Sequence, residues 1–482
     1  VVSLKAVANV VGSLVILLGF LAIVPAGVSV YCREGDAPAF LLSMVIAVSS
    51  GAIVKRLSRG DQGVRNRECF AIVTLGWVAA ATVGALPFVL YGTLPSFTDA
   101  FFEAISGFTT TGATMIADIE AQPHGILLWR SLLHWLGGMG IIVLFIAVLP
   151  NFGLEDARLF KVEVPGPVPE RLEPRIRETA RALWGIYAGM SLAEIILLCL
   201  GGMSLFDSVT HTFATVSTGG FSTKTASIGA WQSPFIQSTI IFFMLAAGGN
   251  FALYFRALHG RHRAILPDAE LRFYLLVVIV ATCTVALSLY FSGSSGLVGA
   301  VRDAAFQVSS VITTTGFATA DFDAWPSLAK GILLGLMFIG GCTGSTSGAI
   351  KVARVLMVFK HGCRELQRLI HPKAVSVAKL NGEAIRPDVL NRVLGFVFLY
   401  VFVFISASLV MMALGLDMVS ACSSVAATLG NVGPGLGIVG PTYTYVPLPA
   451  LGKWVLSLCM LLGRLELYPV LVLLVPSFWR RY

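Results

Sequence analysis

The sequence predicts an all-α polytopic membrane protein, with two N-terminal helices ahead of four pseudo-symmetric helix–pore-loop–helix units around a central pore, ten spans in all. Three observations carry this. Hydrophobic residues make up 56% of the 482 residues and charged residues 12%, with a mean hydropathy of +0.83. A soluble chain carries about a quarter charged residues. Apolar runs of membrane-spanning length recur from end to end. Finally, one ungapped pattern occurs three times: TDAFFEAISGFTTTGAT from Thr98, FDSVTHTFATVSTGGFST from Phe206 and RDAAFQVSSVITTTGFAT from Arg302. In each, an Asp (Asp99, Asp207, Asp303) precedes a Gly (Gly112, Gly220, Gly316) by thirteen residues. A weaker fourth copy ends in ATLGNVGPG around Gly433, with Asp417 sixteen residues upstream.

Taken in order, the first two helices fall at about 6–30 and 38–57, within an N-terminal extension over 1–60. The run from Val7 to Ile23 has no convincing small-residue cleavage site, and equally long runs follow, so it reads as a retained helix and not a signal peptide. The units follow at 69–150, 182–258, 272–360 and 391–475. Basic residues set the orientation. Lys55, Arg56, Arg59, Arg65 and Arg67 cluster between the second and third runs; more lie at 158–181, 256–272 and 351–392 and at Arg480 and Arg481. The alternate connections carry Glu34 and Asp36, then Asp99, Glu103, Asp118 and Glu120, then Asp321 and Asp323. The basic loops and both termini are expected inside, the acidic loops and all four repeated segments outside.

Each repeated segment has about ten residues before its Gly, too few to span and enough for a half-helix. Asp99, Asp207, Asp303 and Asp417 are the expected N-caps. The helix C-termini then point their partial negative charge at the membrane centre, where a cation must be held. The turns that follow are Thr110, Thr111 and Gly112; Thr218, Gly219 and Gly220; Thr314, Thr315 and Gly316; and Asn431, Val432 and Gly433. Stripping water from a monovalent cation takes a ring of oxygens, and several similar loops of one chain can build it. Glycine lets the carbonyls line one side. The fourth turn lacks threonine and departs from the spacing, so the ring is expected to be irregular there. Ordinary Ser/Thr-rich outer loops are the plain alternative, disfavoured by the repetition.

The second helix of each unit carries a break 24–30 residues after its filter glycine: Gly137 and Gly138, Gly248 and Gly249, Gly340 and Gly341, and Gly463 with Arg464. Glycine pairs suit close helix packing. The unit-three run is longer, with Gly340, Gly341, Gly344, Ser345, Thr346, Ser347 and Gly348, and is read as a mobile gate. Arg464 replaces a glycine of the pair. It pairs with Glu466, snorkels, or hangs into the pore as a barrier. Lys351 shares that task or marks the inner boundary. Arg130, His134 and Glu194 also lie in apolar runs. His134 is expected to be a packed core residue; Glu194 is structural or a proton-coupling carboxylate. The eight cysteines show no disulfide or metal spacing, the seven histidines no catalytic cluster, and no phosphate-cradling glycine motif follows a strand. The net charge of +8 is a topology signal and implies no nucleic-acid partner.

The filter segments, HWLGGMGIIV, GGCTGSTSGAIKV, GCRELQRLIHP and GRLELYPV together resemble the Trk-type potassium-uptake subunits of the superfamily of K⁺ transporters, the TrkH and TrkG type related to KtrB. The resemblance spans essentially the whole chain, including the two extra N-terminal helices. It implies a homodimer in the bacterial cytoplasmic membrane, one K⁺ pore per protomer and a cytosolic TrkA-like ring, through which alone ATP, ADP or NAD would act. It also implies that the unit-three break is the gating loop and Arg464 the pore arginine. The basic segments 151–181 and 351–392 are the expected partner contacts. A K⁺/H⁺ or Na⁺-coupled symport by alternating access is the alternative; four copies on one face favour the pore.

Overall fold

The computed structural model describes residues 2–58, 66–140, 176–261, 267–293, 296–372, 379–381 and 383–480. Arg59, Arg65 and Arg481, residues 141–143 of the HWLGGMGIIV motif and most of the basic segment 151–181 lie outside them.

The N-terminal extension forms two antiparallel arms, Leu4–Leu21 continued by Ile23–Cys32, and Ala37–Leu57. Small residues let them touch. A Cβ on Gly51 would lie 2.7 Å from the Gly12 carbonyl, and one on Gly19 2.9 Å from the Ala47 Cβ. The arms pack on Asn66–Tyr91, the first helix of unit one, through a core that includes Leu14, Leu18, Phe40 and Trp77.

Each unit then repeats one plan. A long apolar helix (Asn66–Tyr91, Ile176–Leu200, Ala269–Phe291, Pro387–Ala413) leads to a short pore helix (Phe97–Phe108, Leu205–Val216, Leu297–Ile312, Met418–Leu429). The pore helices have 12, 12, 16 and 12 residues. At ~1.5 Å per residue none crosses a ~30 Å apolar layer. Their C-terminal halves are almost wholly buried, enclosed by the long helices whose outer faces expose Leu, Ile, Val and Phe. After each filter turn a second helix begins: His124–Gly138, Pro234–Ala247, Ser327–Ile339 and Ala450–Arg464.

All of these second helices stop near their glycines. Pro234–Ala247 turns through 94° into Phe251–Gly260, and Ala450–Arg464 through 118° into Tyr468–Leu474. Among the described residues six helices are long and apolar enough to span, or eight counting each bent pair once. The second helix of unit three is interrupted after Ile339, and that of unit one is described only to Gly138, with 141–150 outside the described residues, so neither enters this count. Among the described residues the fold is all-α except for one antiparallel bridge, Lys379–Leu380 against Glu383–Ala384, on the basic loop before unit four.

Candidate functional site

The four filter turns share one backbone conformation. The first residue of each is left-handed: Thr110 (φ 53°), Thr218 (57°), Thr314 (59°) and Asn431 (53°). The glycine two residues on is left-handed again: Gly112 (82°), Gly220 (81°), Gly316 (82°) and Gly433 (99°). The intervening N–H turns back to a pore-helix carbonyl five residues earlier: Thr111 to Ser106 (2.9 Å), Gly219 to Ala214 (2.7 Å), Thr315 to Ser310 (2.8 Å) and Val432 to Ala427 (2.7 Å). This is a Schellman-type helix end. Glycine usually takes its left-handed position; here threonine does so three times, a strained choice for a β-branched residue. Such strain costs of order 1–3 kcal/mol per residue.

The four turns close on one another. A Cβ on Gly112 would strike the Gly219 carbonyl, one on Gly220 that of Thr315, one on Gly316 that of Val432, and one on Gly433 that of Thr111. Each glycine thus abuts the carbonyl just ahead of the next unit's glycine, and the fourth contact returns to the first unit. Four loops of one chain form a ring with no room for a side chain at these positions. Above it opens a small vestibule of about 80 Å³ whose lining includes Thr114, Ser222, Lys224, Tyr443 and Tyr445.

The fourth loop is regular in backbone, contrary to expectation. Its longer Asp-to-Gly spacing has a simple origin. Asp417 is an N-cap, its carboxylate accepting from the N–H groups of Val419 and Ser420 (both 3.1 Å). The N-caps of units one and two are Ser96 and Ser204, also sixteen residues before their glycines. Asp99 and Asp207 therefore stand at the third helical position, and Asp303 lies inside a helix that starts earlier, after Gly296. These three are not caps. Asp207 instead accepts from Thr223 (2.6 Å) and Ser204 (2.7 Å), Asp99 pairs with Lys453 (2.7 Å), and Asp303 sits beside Arg302 (3.4 Å). Asn431 replaces threonine because asparagine tolerates the left-handed region. Its amide bonds Thr111 Oγ1 and the Met460 carbonyl (both 3.0 Å), and Tyr445 donates to the Gly433 carbonyl (2.6 Å).

Buried side chains brace the ring from behind. Glu103, expected at the outer mouth, is 0% exposed and accepts from Arg130 Nε (2.7 Å) and the Met115 N–H (2.7 Å). Arg130 reaches the Ser222 carbonyl (3.3 Å) and lies 4.2 Å over the Phe221 ring, joining units one and two. His134 is more than packing. Nδ1–H donates to the Gly107 carbonyl (2.7 Å), and Nε2 accepts from the Phe221 N–H (3.3 Å), a neutral imidazole in both roles. The sequence marks Arg130 and His134 as polar in an apolar run; it does not show that Glu103, on another helix, is the partner.

Below the ring the units diverge. Gly137, Gly138 and Gly463 lie where any Cβ would hit Phe108, Ser217 and Leu429 backbone atoms, at the ends of three pore helices. Between Ile339 and Val352 the second helix of unit three is replaced by a loop, with left-handed Gly340, Gly344, Ala349 and Lys351. The loop is buried and lies across the ring's underside. Thr346 Oγ1 donates to the Val216 carbonyl (3.1 Å), the Gly348 N–H to Thr314 Oγ1 (2.8 Å), and Gly348 crowds Gly430 and Asn431. It touches Gly341 to Gly248 as well. Lys351 is buried, and its Nζ donates to the Ser347 carbonyl (2.6 Å), the Ser345 carbonyl (3.3 Å) and Ser345 Oγ (3.2 Å).

Arg464 ties the layers together. It donates to the Gly137, Gly138 and Thr346 carbonyls (each 2.6 Å) and to Thr110 Oγ1 (3.2 Å). Glu466, the alternative partner read from sequence, pairs with Arg354. Charge-assisted bonds to carbonyls hold this cation between the unit-three loop and Thr110.

Comparison with known proteins places this arrangement. A family model described as "TrkH: Cation transport protein" matches residues 37–481. The chain is 43% identical to the Trk system potassium uptake protein TrkH of Escherichia coli K12, covering 99% of each chain. It is 35% identical to TrkG of the same strain, again over 99% of each. The crystal structure of the potassium transporter TrkH from Vibrio parahaemolyticus superposes with a TM-score of 0.89 at 38% identity, covering 99% of both chains. The chain belongs to the TrkH family of cation transport proteins.

Proposed function

We propose that this chain takes up potassium across the bacterial cytoplasmic membrane by channel-like conduction through the ring of Thr110–Gly112, Thr218–Gly220, Thr314–Gly316 and Asn431–Gly433. The closed cycle of four glycine-to-carbonyl contacts carries the reading. Backbone oxygens presented by four pore-helix ends replace a monovalent cation's hydration shell, and the helix C-termini add negative potential. The names of the relatives make K⁺ the cargo.

The loop from Gly340 to Gly348, with Lys351 and Arg464, is the gate. Two cations and a hydrogen-bonded loop directly under the ring oppose passage of a third cation. A homodimer with both termini cytoplasmic, regulated by a TrkA-like nucleotide-binding ring, completes the system. Helix Val352–Ile370 and the loop to 392 supply contact for that ring, since the helix leaves the gate and exposes Phe359, Leu366, Leu369 and Ile370.

Coupled symport is the second reading, favoured by one observation: the carboxyl group of Glu194 is fully buried within an apolar run. Flux of K⁺ and Na⁺ into liposomes holding the purified chain, under opposing pH gradients, separates the two. Conduction predicts K⁺ flux that follows the K⁺ gradient and ignores the pH gradient. Flux driven by the pH gradient, and abolished by Glu194→Gln, overturns it.

A further inference from the structure

Cys32, Glu34 and His124 come together where the first N-terminal arm meets the second helix of unit one. Their ligand atoms all lie within 4.8 Å of one another, the one such trio among the described residues. We propose that this trio binds a borderline-soft divalent cation, with Zn²⁺ as the best fit.

The local fold builds the cluster. Arg33 ends the first arm in the left-handed conformation (φ 59°), and the Glu34 N–H returns to the Ser29 carbonyl (2.9 Å). That turn places the side chains of Cys32 and Glu34 beside each other. Pro123 caps Gly125's helix from the other side, so His124 is its first residue. Glu34 already spans the gap. Oε2 accepts the His124 N–H (2.7 Å), and Oε1 lies 2.6 Å from His124 Nδ1. Cys32 and Glu34 are half-buried and the His124 ring is 46% exposed, so water and ions reach them.

The donor set is one thiol, one imidazole and one carboxylate, which selects zinc-like metals over Mg²⁺ or Ca²⁺. Tetrahedral zinc places its ligand atoms roughly 3.5 Å apart, within reach of the observed spacing by side-chain rotation. Binding takes up the thiolate, releases the thiol proton and replaces the Glu34–His124 hydrogen bond, leaving a fourth position for water. A second observation points the same way. Asp36 is fully buried, with Oδ1 held by Ser29 and Oδ2 without a hydrogen bond. That oxygen packs in the space left by the missing Cβ of Gly125, next to His124. An unbalanced buried carboxylate beside three ligands favours a cation there.

The site bridges two parts of the molecule. One end of helix His124–Gly138 carries the metal ligand; the other carries the carbonyls that hold Arg464. Bound metal would pin this helix to the N-terminal arms.

The test is titration of the purified full chain, reduced, with Zn²⁺ alone by calorimetry and with Co²⁺ by absorption. One metal per chain, a thiolate-to-cobalt charge-transfer band and a raised melting temperature are expected. Cys32→Ser should abolish the band, and Cys32→Ser and His124→Ala should each weaken Zn²⁺ binding by at least the roughly 10–100-fold known for losing an outer partner. Cys283→Ser, at an exposed cysteine elsewhere, should bind as the parent does. Glu34→Gln, which keeps the side-chain shape, repeats the test if another variant misfolds. No binding by the parent chain, or binding unaltered in Cys32→Ser and His124→Ala, overturns the proposal.

Discussion

The filter ring and the layer beneath it differ in how they use the fourfold repeat. In the ring, four turns have the same left-handed residues, the same helix-end hydrogen bonds and the same glycine-to-carbonyl contact. In the layer beneath, the four second helices end differently: that of unit one stops at Gly138, those of units two and four bend, unit four with an arginine at its bend, and that of unit three gives way to a buried loop. A binding ring gains from equivalence, because one ion must meet similar oxygens on all sides. A gate gains from inequivalence, because one element must move while the others hold. On the proposed function, repetition marks the binding ring and its breakdown marks the gate.

The largest effect is expected in the ring. Gly316→Ala forces a Cβ into the Val432 carbonyl and strains φ 82°. Strain of about 1–3 kcal/mol at an ion site predicts roughly ten- to hundredfold loss of K⁺/Na⁺ discrimination, measured by competitive flux. Retained discrimination would remove Gly316 from the filter. Behind the ring, Glu103→Gln leaves Arg130 buried without its countercharge and should cost about 3–5 kcal/mol, read as a large drop in melting temperature. Glu103→Leu with Arg130→Met should recover much of it; no recovery would mean that the pair does more than satisfy its own charges.

Smaller effects sharpen the contrast between loops. Tyr445→Phe frees the Gly433 carbonyl, which the other loops' glycines have no matching tyrosine to hold. Loss of one hydrogen bond, about 1 kcal/mol, should change K⁺ affinity by up to roughly fivefold without altering the fold; an unchanged affinity would make the fourth loop equivalent to the rest. Smallest is Asp417→Ala, a lost N-cap of about 1 kcal/mol. The Ser420 hydroxyl, then its N–H, hold this carboxyl below the usual range. The cap's contribution is therefore complete above the ordinary Asp pKa and fades as pH falls through the lowered one. Melting of the parent and Asp417→Asn should converge in strong acid, and a difference that persists there would contradict the cap.

Much of the ring was legible because it is local. Thr-Thr-Gly turns at the end of short apolar segments carry their own helix-end chemistry, and repetition singles them out. Of the four expected N-caps only Asp417 is one, because the recurring Asp of units one to three marks a residue type and not the cap position. Position relative to the glycine is what matters, and Ser96, Ser204 and Asp417 share it. The partners of the polar residues were not legible. Glu103 with Arg130, and Arg464 with three carbonyls, are contacts between segments far apart in sequence. Only the packing of units one, three and four decides that Arg464 meets carbonyls while Glu466 meets Arg354.

The central claim is that selectivity and gating sit in separate layers joined by Arg464. The direct measurement is K⁺ and Na⁺ flux into liposomes for Arg464→Ala beside the parent chain. Charged hydrogen bonds contribute about 1.5–3 kcal/mol each, so freeing the loop should raise basal K⁺ flux by at least about tenfold with K⁺/Na⁺ discrimination intact. Unchanged flux in a folded variant, or raised flux with discrimination lost, would contradict the separation.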